Sequence, residues 1–285
     1  MQIAVLGKGF IGTYLYEQLQ RGAALPHPSV VSLHEKKIET EADVVTLFDG
    51  IETPDIVINA IGITGTPNVD WCEDHIDETM FVNASIPVWL AREAWKRGAV
   101  FMQISSGCIF DGFDHDFRPE EMGTFTGSTY SASKIKAEED LQKLHAEMSG
   151  SRLEMHRVRL PFVPFESPKN LITKFLKFPK IVDCPNSMTY LPDYVRFIAQ
   201  RVQAYEEGKP GDDVVFHAVN PEPLEFREVI KIMEEYVGPL NKEFISIEEA
   251  NAMSRVPRAN CVLTEGVLRK TTEEALREAI GKYTS

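Results

Sequence analysis

The sequence predicts an α/β fold of the Rossmann-like type, a doubly wound parallel sheet with a small C-terminal substrate-binding lobe. Three observations carry this expectation. Apolar runs of strand length alternate with helical patterns through the first half of the chain. The first run leads directly into the glycine turn Gly7-Lys8-Gly9-Phe10-Ile11-Gly12. The 285 residues suffice to bury one large α/β core, or a core with an appendage.

The elements follow in order. QIAVLG, SVVSL, PDIVINAIG and AVFMQISS read as strands, and 10–22, 74–97 and 129–147 as helices. Pro87 lies inside the second helix and should kink it or mark its start. RLEMHRVRL reads as a further strand. The second half is less regular: a loop at PFVPFESPKN, a short helix at LITKFLKF, and a helix at LPDYVRFIAQRVQAYEEG. A strand at DVVFHAVN and helices at PLEFREVIKIMEEYVG and TEEALREAIGKY complete it. Residues 1–160 are expected to form the NAD(P)-binding domain, and 161–285 mainly the substrate lobe, interleaved with the sheet.

Composition narrows the function. The net charge of −13 carries no basic cluster, which argues against nucleic acid and anionic membrane as partners. No apolar run is long enough to span a bilayer, and the N-terminus reads as a strand, so a cytoplasmic protein is expected. Cys72, Cys108, Cys184 and Cys261 are widely spaced, as reduced thiols are, and imply no metal site. The oligomeric state stays open, a homodimer included.

The chemistry-bearing residues come next. The strand–turn–helix context of Gly7, Gly9, Phe10, Ile11 and Gly12 is that of a dinucleotide loop, where backbone approaches pyrophosphate at a helix N-terminus. Asn59, Ala60, Ile61 and Gly62 end the third strand, where small residues border a cofactor. Tyr130 and Lys134, four apart, share a helix face one turn from each other. A positive charge beside a phenol favours the phenolate, which suits Tyr130 to give a proton to a carbonyl oxygen. Ser106 ends the fourth strand upstream. After the second strand, His34-Glu35-Lys36-Lys37 and Lys8 lean towards the 2′-phosphate of NADP(H), while Glu35 leaves NAD(H) open.

Together these motifs resemble an extended short-chain dehydrogenase/reductase. ISSGCIFDG and the spacing from Ser106 to Tyr130 are similar to dTDP-4-dehydrorhamnose reductases. GITGTPNVDWCEDH, FTGSTYSASKIKAEEDL, RVRLP, PKNLITKF, CPNSMT and VPRAN resemble the bifunctional nucleotide-sugar 3,5-epimerase/4-reductases of rhamnose synthesis. Two features depart from that pattern. The glycine loop is one residue shorter than the usual Gly-x-x-Gly-x-x-Gly, and Thr264 stands where relatives often carry Asp.

The resemblance implies a dTDP- or UDP-linked 4-keto-6-deoxy sugar as substrate. It makes Tyr130 the proton donor to the C4 oxygen and Lys134 the holder of the nicotinamide ribose. Ser106 becomes the hydrogen-bond donor to the C4 carbonyl. Cys108 lies two residues beyond Ser106, and on extended backbone the two side chains share a face. Its thiolate would remove the C3 and C5 protons that a 4-keto group acidifies. Lys174 is implied as the acid on the opposite face. Thr64, Asn68, Trp71 and Cys72 fall in a loop that could face the sugar, with Trp71 more a packing residue, and Asn83 either braces the sheet through backbone hydrogen bonds or merely sits in a helix. Arg159, Asn170, Asn186 and Arg258 are candidates for diphosphate or base, guanidinium suiting diphosphate best. The readings left open are a bifunctional enzyme, a 4-ketoreductase alone, and a non-catalytic NADP-binding subunit of the same fold. With one glycine fingerprint and no length to spare, no dehydratase is expected here, so the 4-keto sugar must come from another protein.

Overall fold

The computed structural model describes residues 1–22, 30–66, 68–113 and 115–284. The chain forms two compact units, each assembled from separate stretches. The first comprises Met1–Ser105, Ser128–His156 and Val195–Phe216; the second comprises Ser106–Gly127, Arg157–Tyr194 and His217–Ser285. The interleaving expected from the irregular second half is therefore more extensive than one boundary near residue 160.

The first unit is built on a six-stranded sheet. Its strands are β1 (Gln2–Leu6), β2 (Val30–His34), β3 (Ile56–Asn59), β4 (Val100–Ser106), β5 (Leu153–Val158) and β6 (Val215–His217), in the order β6-β5-β4-β3-β1-β2. β1 pairs in parallel with β2 and β3, and β3 with β4. β1, β3, β4 and β5 are buried almost throughout, as near-continuous apolar runs covered on both faces should be. The helices are α1 (Phe10–Gln20), α2 (Glu41–Asp49), α3 (Ile76–Met80), α4 (Ile86–Lys96) and α5 (Thr129–Glu147). α2 was not expected from the sequence, though its start is signposted: the Thr40 side chain accepts from the Asp43 amide, and Asp43 accepts in return. Leu6, Val57, Leu90, Ala94, Phe101, Leu141 and Met155 join one buried cluster beneath these helices. Ser29, the first residue of the expected second strand, lies outside the described residues.

The helix expected over 74–97 is in three parts. A 3-10 turn over Val69–Asp74 precedes α3, and a π-helical turn, Phe81–Ser85, joins α3 to α4. Pro87 sits in the first turn of α4, where its missing N–H removes no hydrogen bond that the new segment needs. It thus marks a start, with the wider turn immediately upstream absorbing the change of phase.

The second unit carries α6 (Leu171–Lys177), the first residues of α7 (Leu191–Glu206), α8 (Phe226–Val237), α9 (Ile247–Met253) and α10 (Thr272–Tyr283). α8 presents Phe226, Val229, Ile230 and Met233 at helical spacing to a core shared with Leu276 and Ile280 of α10 and Leu171 and Phe175 of α6. Three short strand pairs complete it. Pro161–Phe162 lies parallel to Thr189–Tyr190, Lys180–Val182 parallel to Glu243–Ile245, and Pro185–Asn186 antiparallel to Leu224–Glu225. Such two- and three-residue pairings, and α9, carry too little periodicity to be read from sequence. Among the described residues, no helix is long and apolar enough to cross a membrane.

Candidate active site

In the first unit, the glycine loop is fixed by contacts that tolerate no side chain. Gly7 has φ +100°, and a Cβ on Gly12 would lie 2.1 Å from the Gly7 carbonyl oxygen. The two turns therefore close on each other only as glycines. Gly9 is the N-cap of α1, with ordinary φ, no side-chain cap and no acidic residue in the first turn. A Cβ there would meet no atom within 4 Å. The uncapped amides of α1, led by Phe10 and Ile11, thus face a space that suits a phosphate group. The residues present fit a dinucleotide despite the shortened loop.

Beside it, the end of β3 is pinned through Asn59. Its side chain donates to Gln103 Oε1 at 2.8 Å and accepts from the Ile61 amide at 3.1 Å. Gly62 lies against two side chains: a Cβ on it would be 3.3 Å from both Asn83 Oδ1 and Lys134 Nζ. The Asn59–Gly62 stretch and Lys134, singled out separately in sequence, are therefore neighbours. Asn83 grips the next residue, accepting from the Ile63 amide at 2.8 Å and donating to its carbonyl at 3.0 Å, and donates also to Ser133 Oγ at 3.1 Å. The expected bracing role is thus a clamp between the π-turn, the loop after β3 and α5.

Helix α5 begins at Ser128, whose hydroxyl accepts from the Ser131 amide. Glu73 accepts from Thr129 N–H at 2.7 Å and Oγ1 at 3.0 Å, a carboxylate at the positive end of the helix. Tyr130 is half-buried, and Lys134 is only 6% exposed one turn on. Burial pushes the Lys134 ammonium down to about 8, against the pull of Glu138, which raises it. Glu138 is itself buried and accepts from Ser105 Oγ at 2.5 Å. Sequence reasoning missed Glu138, although it continues the spacing Tyr130, Lys134, Glu138.

The lysines that lean towards NADP(H) each stand near a carboxylate: Lys8 with Glu35 (3.6 Å), Lys36 with Asp43 (3.9 Å) and Lys37 with Glu39 (2.6 Å). Thr64 and Asn68 are exposed, and Asn68 caps the 3-10 turn by accepting from the Asp70 amide. Trp71 stacks on His75 with ring centroids 3.7 Å apart, a packing role, and Cys72 is buried.

In the second unit, Ser106 ends β4 and Cys108 follows beyond the strand. The backbone is therefore not extended through Cys108, yet the two side chains still meet, Ser106 being among the hydrogen-bond partners that lower the Cys108 thiol. The Cys108 amide donates to Ser106 Oγ at 3.2 Å, a turn closed by the serine itself. Cys261 Sγ donates to Cys108 Sγ at 3.7 Å. That hydrogen bond leads in pulling the Cys108 thiol down to about 5 against burial, with Arg159, Ser106 and Arg258 adding to it. The same contact and burial raise Cys261. Of the two thiols, Cys108 is the one whose surroundings favour ionisation.

Arg159 donates through Nε to Asn186 Oδ1 at 2.8 Å, so two of the expected substrate ligands meet. Lys174, half-buried on α6, is pushed down by burial first, then by Lys169 and Arg159. The Arg159 charge thus acts on Cys108, Cys261 and Lys174 alike. Asn170 has a different employment. It is fully buried, caps α6, and exchanges hydrogen bonds with Val163, Phe165 and Ile172. Arg258 is exposed; its amide is held by Asn251, and its guanidinium lies 3.4 Å from Ser254 Oγ. Thr264 donates through Oγ1 to the Phe117 carbonyl, a contact an aspartate could not make when ionised.

A family model described as the RmlD substrate binding domain matches residues 1–224. A bifunctional dTDP-4-dehydrorhamnose 3,5-epimerase/dTDP-4-dehydrorhamnose reductase from Arabidopsis thaliana is 29% identical over 258 residues, covering 87% of this chain and 81% of the relative. A trifunctional UDP-glucose 4,6-dehydratase/UDP-4-keto-6-deoxy-D-glucose 3,5-epimerase/UDP-4-keto-L-rhamnose-reductase from the same plant is 31% identical over 241 residues. The match covers 81% of this chain but only 34% of that longer relative. Among solved structures, a UDP-rhamnose synthase from Acanthamoeba polyphaga mimivirus superposes with TM-score 0.83 at 23% identity, covering 99% of both chains.

Proposed function

The chain belongs to the RmlD substrate-binding domain family, and we propose that it is an NADPH-dependent reductase of the 4-keto group of a nucleotide-linked 4-keto-6-deoxyhexose. The observation that carries this reading is the placement of Lys134: buried, charged below about pH 8, one helical turn from Tyr130 and against the Gly62 backbone. A nicotinamide cofactor, when bound at the glycine loop, supplies the hydride. Tyr130 supplies the proton, so that C4–O becomes C4–OH with charge balanced. Lys134 stabilises the phenolate left behind, and Ser106 holds the carbonyl oxygen where negative charge develops. NADP(H) is preferred over NAD(H) on the cluster of Lys8, Lys36 and Lys37 about the end of β2.

The reading extends to prior 3,5-epimerisation. Cys108 is a half-buried thiol close to Ser106 whose surroundings favour ionisation, and a thiolate beside a 4-keto sugar removes a C3 or C5 proton to leave an enolate. Lys174 returns a proton from the other face; its lowered pKa favours giving one up. Arg159 and Asn186, with Arg258, take the diphosphate. Names of relatives support the same pairing of activities.

The test is direct. The protein is incubated with dTDP- and UDP-4-keto-6-deoxyglucose and NADPH in deuterated solvent, and the product sugar is identified by NMR. A rhamnose-type sugar nucleotide deuterated at C3 and C5 is expected. Tyr130→Phe should lower turnover by about 10²- to 10⁴-fold, and Cys108→Ala should abolish solvent exchange while sparing reduction of an already epimerised substrate. Normal turnover by Tyr130→Phe would end the reductase assignment, and undiminished exchange by Cys108→Ala the epimerase one.

A further inference from the structure

We infer that Cys261 is a positioning residue for the base: it donates its S–H to the Cys108 sulfur and thereby keeps Cys108 ionised. This rests on the epimerase reading for its purpose, though not for its geometry. The two sulfurs are 3.7 Å apart, within reach of an S–H···S contact. Cys261 is 4% exposed, so no water competes freely for its proton. Its alternative acceptor is the Ala259 carbonyl at 3.5 Å. A sulfur anion is the stronger acceptor of the two, so ionisation of Cys108 turns the Cys261 proton towards it.

The other groups facing the pair add to this donor, which has the largest influence. Ser106 Oγ accepts from the Cys108 amide, and its hydroxyl adds a smaller hydrogen bond to the Cys108 sulfur than Cys261 does. Arg159 directs its Nε to Asn186 and acts on the sulfurs as a charge, as the exposed Arg258 does on Cys108. Cys184 adds a further thiol whose influence falls on Cys261. With Cys261 removed, the remaining influences oppose desolvation less, so the thiolate fraction at a given pH falls. For epimerisation the anion must exist before substrate arrives, because a neutral thiol takes no proton from carbon. After the transfer, Cys108 carries the substrate proton and returns it to solvent, while Cys261 has kept its own throughout.

The experiment reads the ionisation of Cys108 without requiring turnover. The intact chain is alkylated with iodoacetamide across a range from acid to mildly alkaline pH, and the rate at Cys108 is followed by peptide mass spectrometry. The Cys108 thiolate displaces iodide to form the S–C bond, so the rate profile follows the thiolate fraction. In the unaltered chain its midpoint should lie below the ordinary thiol value of about 8.5. In Cys261→Ala it should rise by about one pH unit or more, and in Cys261→Ser, which restores a donor, most of that rise should be recovered. Should Cys261→Ala fail to fold by near-ultraviolet circular dichroism, Cys261→Val tests the same loss with the volume kept. A Cys108 midpoint unchanged in the variant without a donor overturns the inference. If instead Cys108→Ala retains solvent exchange at C3 and C5, the epimerase reading fails while the alkylation profile still decides the pairing.

Discussion

Lys134 is asked to carry a charge in a place that resists one. It is 6% exposed, and burial brings its ammonium down to about 8, far below the value of about 10.4 for a free lysine. Glu138, one turn further along α5, works in the opposite direction, and Ser105 holds Glu138 in place. The consequence for activity has a definite sign. As pH rises through about 8, Lys134 loses the proton that stabilises the phenolate, so reduction slows. Stability moves the other way: between that value and the free-lysine value the unfolded chain binds the extra proton, so this residue's contribution to stability rises with pH. Glu138→Gln removes the opposing charge. We expect its alkaline limb of kcat against pH to move down by about one unit, measured at saturating NADPH and substrate. An alkaline limb in the same place would show that Lys134 is not the group being read. Tyr130 and Lys134 were legible because four-residue spacing is a statement about helix geometry. Glu138 obeys the same spacing, yet nothing in a string of letters shows that a carboxylate in KAEED is buried and hydrogen-bonded while its neighbour Glu139 is exposed.

The π-turn between α3 and α4 places a clamp that an α-helix of the same length would rotate away. Five residues, Phe81–Ser85, widen the helix just before Pro87, and the Ile86 amide reaches back to the Phe81 carbonyl. Asn83 within that turn spends its side chain on Ile63 and Ser133, joining the loop after β3 to α5. All three hydrogen bonds are buried or partly so, and removing the amide leaves the Ile63 backbone groups without that partner. Asn83→Ala should therefore cost about 1–3 kcal/mol, seen as a lower urea midpoint at unchanged slope, and should weaken NADPH binding because Gly62, which borders Lys134, lies against that side chain. A variant with the native midpoint and native affinity would reduce the turn to an accident of the proline. The sequence foretold a break at Pro87, and the helix over 129–147 was read to its ends because its cap and periodicity are local signals. The wider turn was not legible, since i+5 bonding is chosen by what Asn83 reaches, 20 and 50 residues away in sequence. For the same reason the extended backbone expected through Cys108 stops short: β4 ends where the Ser106 hydroxyl captures the Cys108 amide.

At the scale of the whole molecule, acid acts through buried groups against a strongly negative surface. The net charge of −13 means that protonating exposed carboxylates relieves self-repulsion as pH falls. Two buried sites oppose that gain. Glu154 is raised by burial, but hydrogen bonds from His156 at 2.9 Å and from Arg201 outweigh it and hold the carboxyl below its usual value. Its stabilisation is present above the unfolded carboxyl value of about 4.3 and is lost as pH falls below that. His217 acts earlier. Burial takes its imidazole down to about 4, helped by Arg157 and resisted by the Thr264 carbonyl. Arg157 can only donate, so His217 Nε2 accepts from it at 3.2 Å, and Nδ1 carries the proton given to Thr264 at 2.7 Å. A second proton would set N–H against N–H. The unfolded chain takes that proton near about 6.5, so stability falls as pH drops from there towards 4, by about 3 kcal/mol for this residue. His217→Gln offers the same two contacts, an amide N–H for Thr264 and an oxygen for Arg157, without titrating. Urea unfolding followed at a series of pH values should give a flatter dependence between about pH 7 and about pH 4 for His217→Gln than for the native chain, whatever the variant's stability at neutral pH. Parallel curves would assign the acid sensitivity to the surface and leave His217 neutral in both states.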